Sequence, residues 1–337
     1  MSMQRVYIQS NEADANRVFA FDREADGRLS DPVAVATGGR GDGVAHLTSQ
    51  GSVVLTSDGR GLLVTNAGSN EVSYLDVAGE PAVAAVASSG GAAPKSVAEH
   101  DGLVYVLNTG DRALVGFRLS EKGLTEIAGS RRELGNGSDP AQVGFTPDGT
   151  ALVVTDRGTN AIVVFRITAD GSLAAPHVTP SAGPTPYGFT FVGGNTLVVT
   201  EAFGAAEGKA AASSYRLDMR GAEAVTTSVG NGRSEICWAV AAADNRHVFT
   251  TNFADGAISS YSVTTDGKLV LESAVAAVAV DGQPGLRDED LSGDGRYLYA
   301  IDADGGRVCG WAVDEGTLAP VGAWNGLPKT VAGLAAS

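Results

Sequence analysis

Glu201 is the residue of this sequence placed to act as a general base. It follows the apolar run LVVT and opens the insertion AFGAAEGKAAASS, whereas the counterpart sites Asn66, Asn108, Asp156, Asn252 and Asp302, with Ser10 or Asn11, hold short polar residues. A general base needs a carboxylate that projects into a partly dry pocket, where burial lifts its pKa toward the working pH. The same side chain could instead bridge to Lys209, or to another cation of the funnel, as a scaffold ion pair. His46, in the glycine-rich stretch GRGDGVAHLTSQ, and Arg287 are the groups that could stabilise an oxyanion developing beside it. Tyr187 and Trp238 offer flat platforms for a ligand, or ordinary packing. Lys95, Arg233, Arg287 and Lys329 could meet an anionic ligand, and each could also be a solvated surface charge.

Other chemistries find no support. There is no Walker loop and no GxSxG elbow, and Cys237 has no histidine partner in sequence. HxxxH and CxxC spacings are missing, so neither a transition metal nor a cofactor is expected. The acidic run Asp288-Glu289-Asp290 reads first as a solvated face and second as an attractor for a hard cation. With 24 Lys and Arg against 39 Asp and Glu, the net charge of −15 opposes nucleic acid and anionic membranes as partners. No run approaches the roughly 20 apolar residues of a membrane span. The N-terminal MSMQRVYIQSNEADANR lacks an apolar signal core, and the only cysteines are Cys237 and Cys309. A cytoplasmic protein with two free thiols is the expectation.

The elements that must position these residues are repeats of one pattern. Leu152 to Leu173, LVVTDRGTNAIVVFRITADGSL, reads as two short apolar strands around a polar turn, ending at a two-residue hairpin turn on Asp170-Gly171. One such hairpin cannot bury its apolar side chains, so copies must stack. The terminal glycine recurs at Gly27, Gly79, Gly123, Gly171, Gly221, Gly267 and Gly316, at a mean spacing of about 48 residues, a propeller period. A second turn marker precedes each doubled strand at Asp58-Gly59, Asp101-Gly102, Asp148-Gly149, Gly193-Gly194, Asp244-Asn245 and Asp294-Gly295.

Only six second markers occur because the first repeat opens directly on VYIQSN, while LPKTVAGLAA at the other end supplies a strand with nothing after it. The expected fold is therefore all-β: one seven-bladed propeller over residues 1–337, each blade of four antiparallel strands, closed by the C-terminal strand completing the N-terminal blade. In the fourth blade the strands fall near Ala141–Thr146, Leu152–Thr155, Ala161–Ile167 and Ser172–Val178. Antiparallel order puts the turns after the second strands and the crossovers between blades on one face, where a ligand would sit. A closed ring of this size can stand as a monomer, with a small molecule as its partner.

The segments VYIQSNEADANRVFAFD, SDGRGLLVTNAGSNEVSYLDV, TPDGTALVVTDRGTNAIVVFRITADGSL and SGDGRYLYAIDADGGRVCGWAVDEGTL give the chain its likeness. It resembles the lactonase-type seven-bladed propellers, which include propeller 6-phosphogluconolactonases and 3-carboxy-cis,cis-muconate cyclases. LLVTN, VYVLN and LVVTD are similar also to YVTN-type repeats, often non-enzymatic. The resemblance implies a site of one His, two Arg and one Glu. Glu201 matches the glutamate. The histidine position falls at Asp139 in GSDPAQV, and the arginine positions fall at Thr185 in GPTPYGF and Cys237 in EICWAV. Two readings stay open. One is hydrolysis or formation of a lactone, or a related cyclisation, with Glu201 as base and His46 or Arg287 at the oxyanion. The other is a catalytically silent propeller that binds a small molecule or a partner protein.

Overall fold

Residues 4–45, 49–218, 220–279 and 283–337 are described by a computed structural model. The fourth repeat folds as its pattern dictates. Ala151–Asp156 pairs with Ala161–Arg166 in a register that sets Leu152 opposite Phe165 and Val154 opposite Val163. Pro140–Phe145 lies on the inner edge and His177–Pro180 on the outer edge. The outer strand starts later than expected because the turn is longer. Thr168 N–H donates to the Ser172 carbonyl and Gly171 N–H to the Thr168 carbonyl, each at 2.9 Å, which makes a three-residue loop with left-handed Gly171 at its end. Leu173 then makes one isolated bridge to Ile167 before Pro176, which has no N–H to donate.

Seven such sheets form a ring. Their innermost strands are Ala332–Ala336, Val53–Leu55, Pro94–His100, Pro140–Phe145, Pro186–Val192, Ile236–Ala241 and Leu286–Leu291, for blades one to seven. In blade three the outermost strand is split into Gly123–Glu126 and Arg132–Glu133. The expected closure is present: Ala332–Ala336 pairs antiparallel with Arg5–Gln9. Across this seam Tyr299 donates its hydroxyl proton to the Gly27 carbonyl at 2.7 Å, and Arg23 pairs with Asp294 at 2.9 Å. Gly27 has φ +83°, and a Cβ there would stand 2.3 Å from the Tyr297 ring, so only glycine fits.

Burial is graded from the axis outward. Second strands such as Gly61–Asn66 and Leu103–Asn108 are buried along their whole length, because blades cover both faces. Outermost strands leave Val83, Val178 and Val275 exposed. Most cores lie between two neighbouring blades; Tyr7 and Val18 of the first, for example, pack with Leu62, Val64 and Leu75 of the second, while Ala141, Tyr187, Cys237 and Trp238 join blades four, five and six under the mouth.

The first crossover does more than connect. Its last residues, Ser49 and Gln50, lie across the channel axis. Gln50 Nε2 donates to the Ala239 carbonyl at 2.9 Å and Gln50 Oε1 accepts Ala239 N–H at 3.2 Å. Trp238 Nε1 donates to the Ser49 carbonyl at 3.1 Å, and Ser96 Oγ to the Gln50 carbonyl at 2.6 Å. These bonds tie blades three and six together through a plug. Gly188 on blade five leaves room for it, since a Cβ there would meet Gln50 Oε1 at 2.3 Å.

Candidate functional site

The same backbone bond closes the upper end of several blades. The residue just past the second strand donates its N–H to the residue just before the innermost strand: Arg157 to Asp139, Ala202 to Thr185, Phe253 to Glu235 and Ala303 to Gly285, all at 2.9–3.0 Å. Thr185 and Glu235 take left-handed φ values of 59° and 53° to make this turn. Non-glycine residues rarely do so, and the conformation marks positions where the rim is forced into shape.

Between the rims of blades four, five and six lies a pocket of about 380 Å³. Arg157, Tyr187, Glu235, Cys237 and Phe253 line it, and the blade-five insertion closes one side through Ala202, Gly204 and Ala205 around the short 3-10 turn Phe203–Ala205. Glu235 is half-buried, and no hydrogen bond from a described residue holds its carboxylate. Burial, and then the nearby charge of Asp255, raise its pKa above the ordinary glutamate value. Arg157 pairs with Asp139 at 2.9 Å and stacks 5.0 Å above the Tyr187 ring. Arg287, on the innermost strand of blade seven, stacks 5.2 Å from Phe253 behind the pocket wall. It is buried, its Nε and Nη1 have no partner, and Asp304 is 3.9 Å from its Nη2. Burial lowers its pKa, and pushes the Cys237 thiol and Tyr187 hydroxyl well above their usual ranges. Cys237 is thus a buried wall residue of the pocket.

Glu201 requires a correction. Its carboxylate is fully buried and points into blade five, away from the mouth. Gly183 N–H donates to Oε1 at 2.8 Å, Ser213 Oγ to Oε1 at 2.5 Å and Ser228 Oγ to Oε2 at 2.7 Å. Asn66 and Asn252 meet the matching serines, Ser73 and Ser259, with the direction reversed, the asparagine Nδ2 donating and the serine Oγ accepting, and each serine is the third residue of its blade's third strand. Glu201 therefore caps its blade at the place the shorter residues do, and its carboxylate, fully buried on three donors, does not line the mouth pocket. No ion pair links it to Lys209 among the described residues; serines and a backbone amide fill that role.

The remaining expectations divide. Tyr187 and Arg287 gather at or behind the pocket. Trp238 is buried, meets Tyr187 edge-on at 5.5 Å and holds the plug, so it supports the site from below. Lys95 is engaged with Asp42 at 3.2 Å, Lys329 is exposed, and Arg233 sits among its crossover's own turns with its Nε unpartnered. His46 lies outside the described residues. Sequence reasoning missed Arg157, Glu235 and Phe253. The available signal was positional: Glu235 occupies in blade six the place that Thr185 holds in blade five.

The acidic run Asp288-Glu289-Asp290 is no solvated face. It lies on the innermost strand of blade seven, with Asp288 and Glu289 only 3% and 2% exposed. Among the described residues no group of three or more His, Cys, Asp or Glu could hold a metal ion, and both cysteines are free and buried. A hollow of similar size on the outer flank, between Asp148, Arg166, His177 and Asp218, is walled by hairpin turns whose polar groups are largely solvated.

A closed ring of seven antiparallel blades defines the class of seven-bladed β-propellers. Within that class, the chain belongs to the lactonase family of seven-bladed β-propellers, whose model matches residues 124–203 and 199–329. Its fold is similar to that of a candidate 6-phosphogluconolactonase from Bacteroides fragilis (TM-score 0.74, 17% identity, covering 100% of this chain and 98% of that one). It is similar also to the periplasmic gluconolactonase PpgL of Pseudomonas aeruginosa (TM-score 0.73, 16% identity, 99% of both chains). Virginiamycin B lyase from Staphylococcus aureus is more distant (TM-score 0.61, 16% identity, 92% and 94%). At these identities the likeness is one of fold. No curated protein matches the sequence. No helix among the described residues is long and apolar enough to cross a membrane. With a periplasmic protein sharing the fold, cytoplasmic placement stays an expectation.

Proposed function

We propose that the chain is a lactonase-type enzyme that opens a small cyclic ester in the mouth pocket, with Glu235 as general base. The observation that carries this reading is the convergence, in one pocket of about 380 Å³, of an untethered carboxylate of raised pKa with an arginine and two aromatic rings. Glu235 takes a proton from a water as its oxygen attacks the lactone carbonyl. The tetrahedral oxyanion is met by the guanidinium of Arg157, with Arg287 adding positive potential from behind Phe253. As the ring C–O bond breaks, protonated Glu235 returns its proton to the leaving alkoxide, giving the hydroxy acid. Tyr187 and Phe253 hold the apolar part of the ring.

The pocket suits a neutral or singly charged lactone better than a phosphorylated one. Phosphate recognition draws on arginine forks or helix N-termini, and the single arginine lining this pocket already shares its charge with Asp139. A catalytically silent binder is the second reading, favoured by Asp139, Thr185 and Cys237 standing where the family site has His and Arg. Titration of released acid over a panel of unphosphorylated γ- and δ-lactones separates the two. The enzyme reading expects acid release above background with at least one lactone, lost in Glu235→Gln; no release from any member supports the binder.

A further inference from the structure

Apart from its base and its arginine, the mouth pocket is walled by apolar groups. The blade-five insertion presents Ala202, Gly204 and Ala205 to it, while Glu207 and Lys209, the charged residues of that insertion, are exposed and do not line it. The backbone donors of this wall are spent within the chain. Ala202 N–H donates to the Thr185 carbonyl at 3.0 Å, Gly204 N–H to Thr185 Oγ1 at 2.9 Å and Ala205 N–H to the Ala202 carbonyl at 3.0 Å. Three successive left-handed residues make that turn, Phe203, Gly204 and Ala205, with φ of 50°, 60° and 64°. Past it, Gly208 N–H donates to Ser234 Oγ at 3.0 Å, so the insertion is fastened to the crossovers of blades five and six alike.

The other polar groups of the lining have little left to offer. Thr185 also gives its N–H to Asn160 Oδ1 at 2.7 Å. Arg157 turns Nη2 to Asp139 Oδ1 at 2.9 Å and Nε to the Asp139 carbonyl at 3.5 Å. What remains is the Glu235 carboxylate, the unshared side of the Arg157 guanidinium and the Tyr187 hydroxyl, which has no partner. One ester group occupies these. A sugar lactone carries hydroxyls around its ring, and each would lose water against methyls and aromatic faces with nothing to bond. A hydrocarbon group gains from the same surface. A volume of about 380 Å³ is also more than a bare lactone ring needs. We infer that the substrate is a lactone carrying an apolar substituent, an alkyl chain or an aryl group. The substituent lies on the half-buried Phe253 ring and along residues 202–205, while the ester faces Arg157 and Glu235. This substrate class, which rests on the lactonase reading of the pocket, leaves hydroxylated sugar lactones as poor ligands.

The full chain is assayed by pH-stat on δ-valerolactone, δ-hexalactone, δ-octalactone and glucono-δ-lactone, each below its solubility limit. In parallel, δ-valerolactam and its alkyl-substituted forms, which cannot be opened, are titrated by calorimetry. Both kcat/KM and lactam affinity should rise about 2–4-fold per methylene along the alkyl series. Glucono-δ-lactone should fall at least about 10-fold below δ-octalactone. A flat or falling alkyl series, or a preference for glucono-δ-lactone, overturns the apolar assignment and leaves the lactonase reading standing. Turnover of no lactone at all removes the lactonase reading instead, and the lactams then decide alone. Affinity that grows with chain length supports the apolar wall, and affinity indifferent to it, or absent, overturns it. Ala205→Asn tests the placement, because asparagine accepts the left-handed φ of 64° while making the wall polar. This variant should flatten the alkyl dependence in both readouts and change δ-valerolactone less. A wild-type slope in it overturns the placement of the substituent along residues 202–205.

Discussion

The region around Glu201 and the region around Glu235 come from the same repeat, at the upper ends of adjacent blades, yet they treat a carboxylate in opposite ways. Glu201 ends a second strand, a place where the repeat turns the side chain inward onto a third-strand serine and a crossover amide. Glu235 precedes an innermost strand, where a left-handed turn sets it on the rim of the mouth pocket. Residue type alone does not separate the two. Position within the blade does: one position caps, the other faces the ligand space.

Exchanging the two roles gives the largest expected effect. Glu235→Gln should lower kcat on a cleaved lactone by about 10²–10⁴-fold, the usual worth of a general base, while Glu201→Gln keeps turnover within about an order of magnitude. Equal losses in steady-state assays would erase the distinction. Next, Arg157→Ala removes the pocket's charged donor and should cost about 10²-fold in kcat, with KM less affected. On the structural side, Glu201→Ala leaves Gly183 N–H, Ser213 and Ser228 without their acceptor. It should lower unfolding stability by about 1–3 kcal/mol per donor that water cannot reach, read as a drop in urea midpoint. An unchanged midpoint would mean that Glu201 is no cap.

The smallest effect concerns pH. Glu235 works as a base only when ionised, and its pKa lies above the ordinary 4.5 through burial and the charge of Asp255. The acid limb of kcat/KM should therefore fall above pH 4.5, with activity lost as pH drops through that raised value. Asp255→Asn removes one of the two causes and should move the limb to lower pH, leaving the plateau in place. A limb that moves up in this variant, or stays fixed, would detach Glu235 from the profile.

How much was legible in the sequence follows the same division. The ring, its blade count and its closure were written in the glycine spacing and in the lone strand at the C-terminus, because tight turns and unpaired edges leave residue-type signatures. The insertion after Glu201 was correctly read as a departure, but it supplies a wall through Ala202, Gly204 and Ala205 and not a base. Glu201 misled because an extra methylene among Asn and Asp looks like new chemistry, when it only lengthens the reach of the same cap. Glu235 and Arg157 were invisible because adjacency at the rim is made by bonds such as Phe253 N–H to the Glu235 carbonyl, which join segments with no shared motif. The acidic run on blade seven reads as surface until the innermost strand places it in the channel.

The central claim is that the reactive space is the mouth pocket above Gln50. The most direct test is a crystal structure with a lactam analogue of a cleaved lactone, which cannot be opened. The account predicts the lactam ring between Tyr187 and Phe253, with its carbonyl oxygen toward Arg157 and Glu235 beside its carbonyl carbon. A ring seated in the outer hollow at Asp148 and His177, or a Glu201 swung out of its serine cap to meet it, would contradict the account.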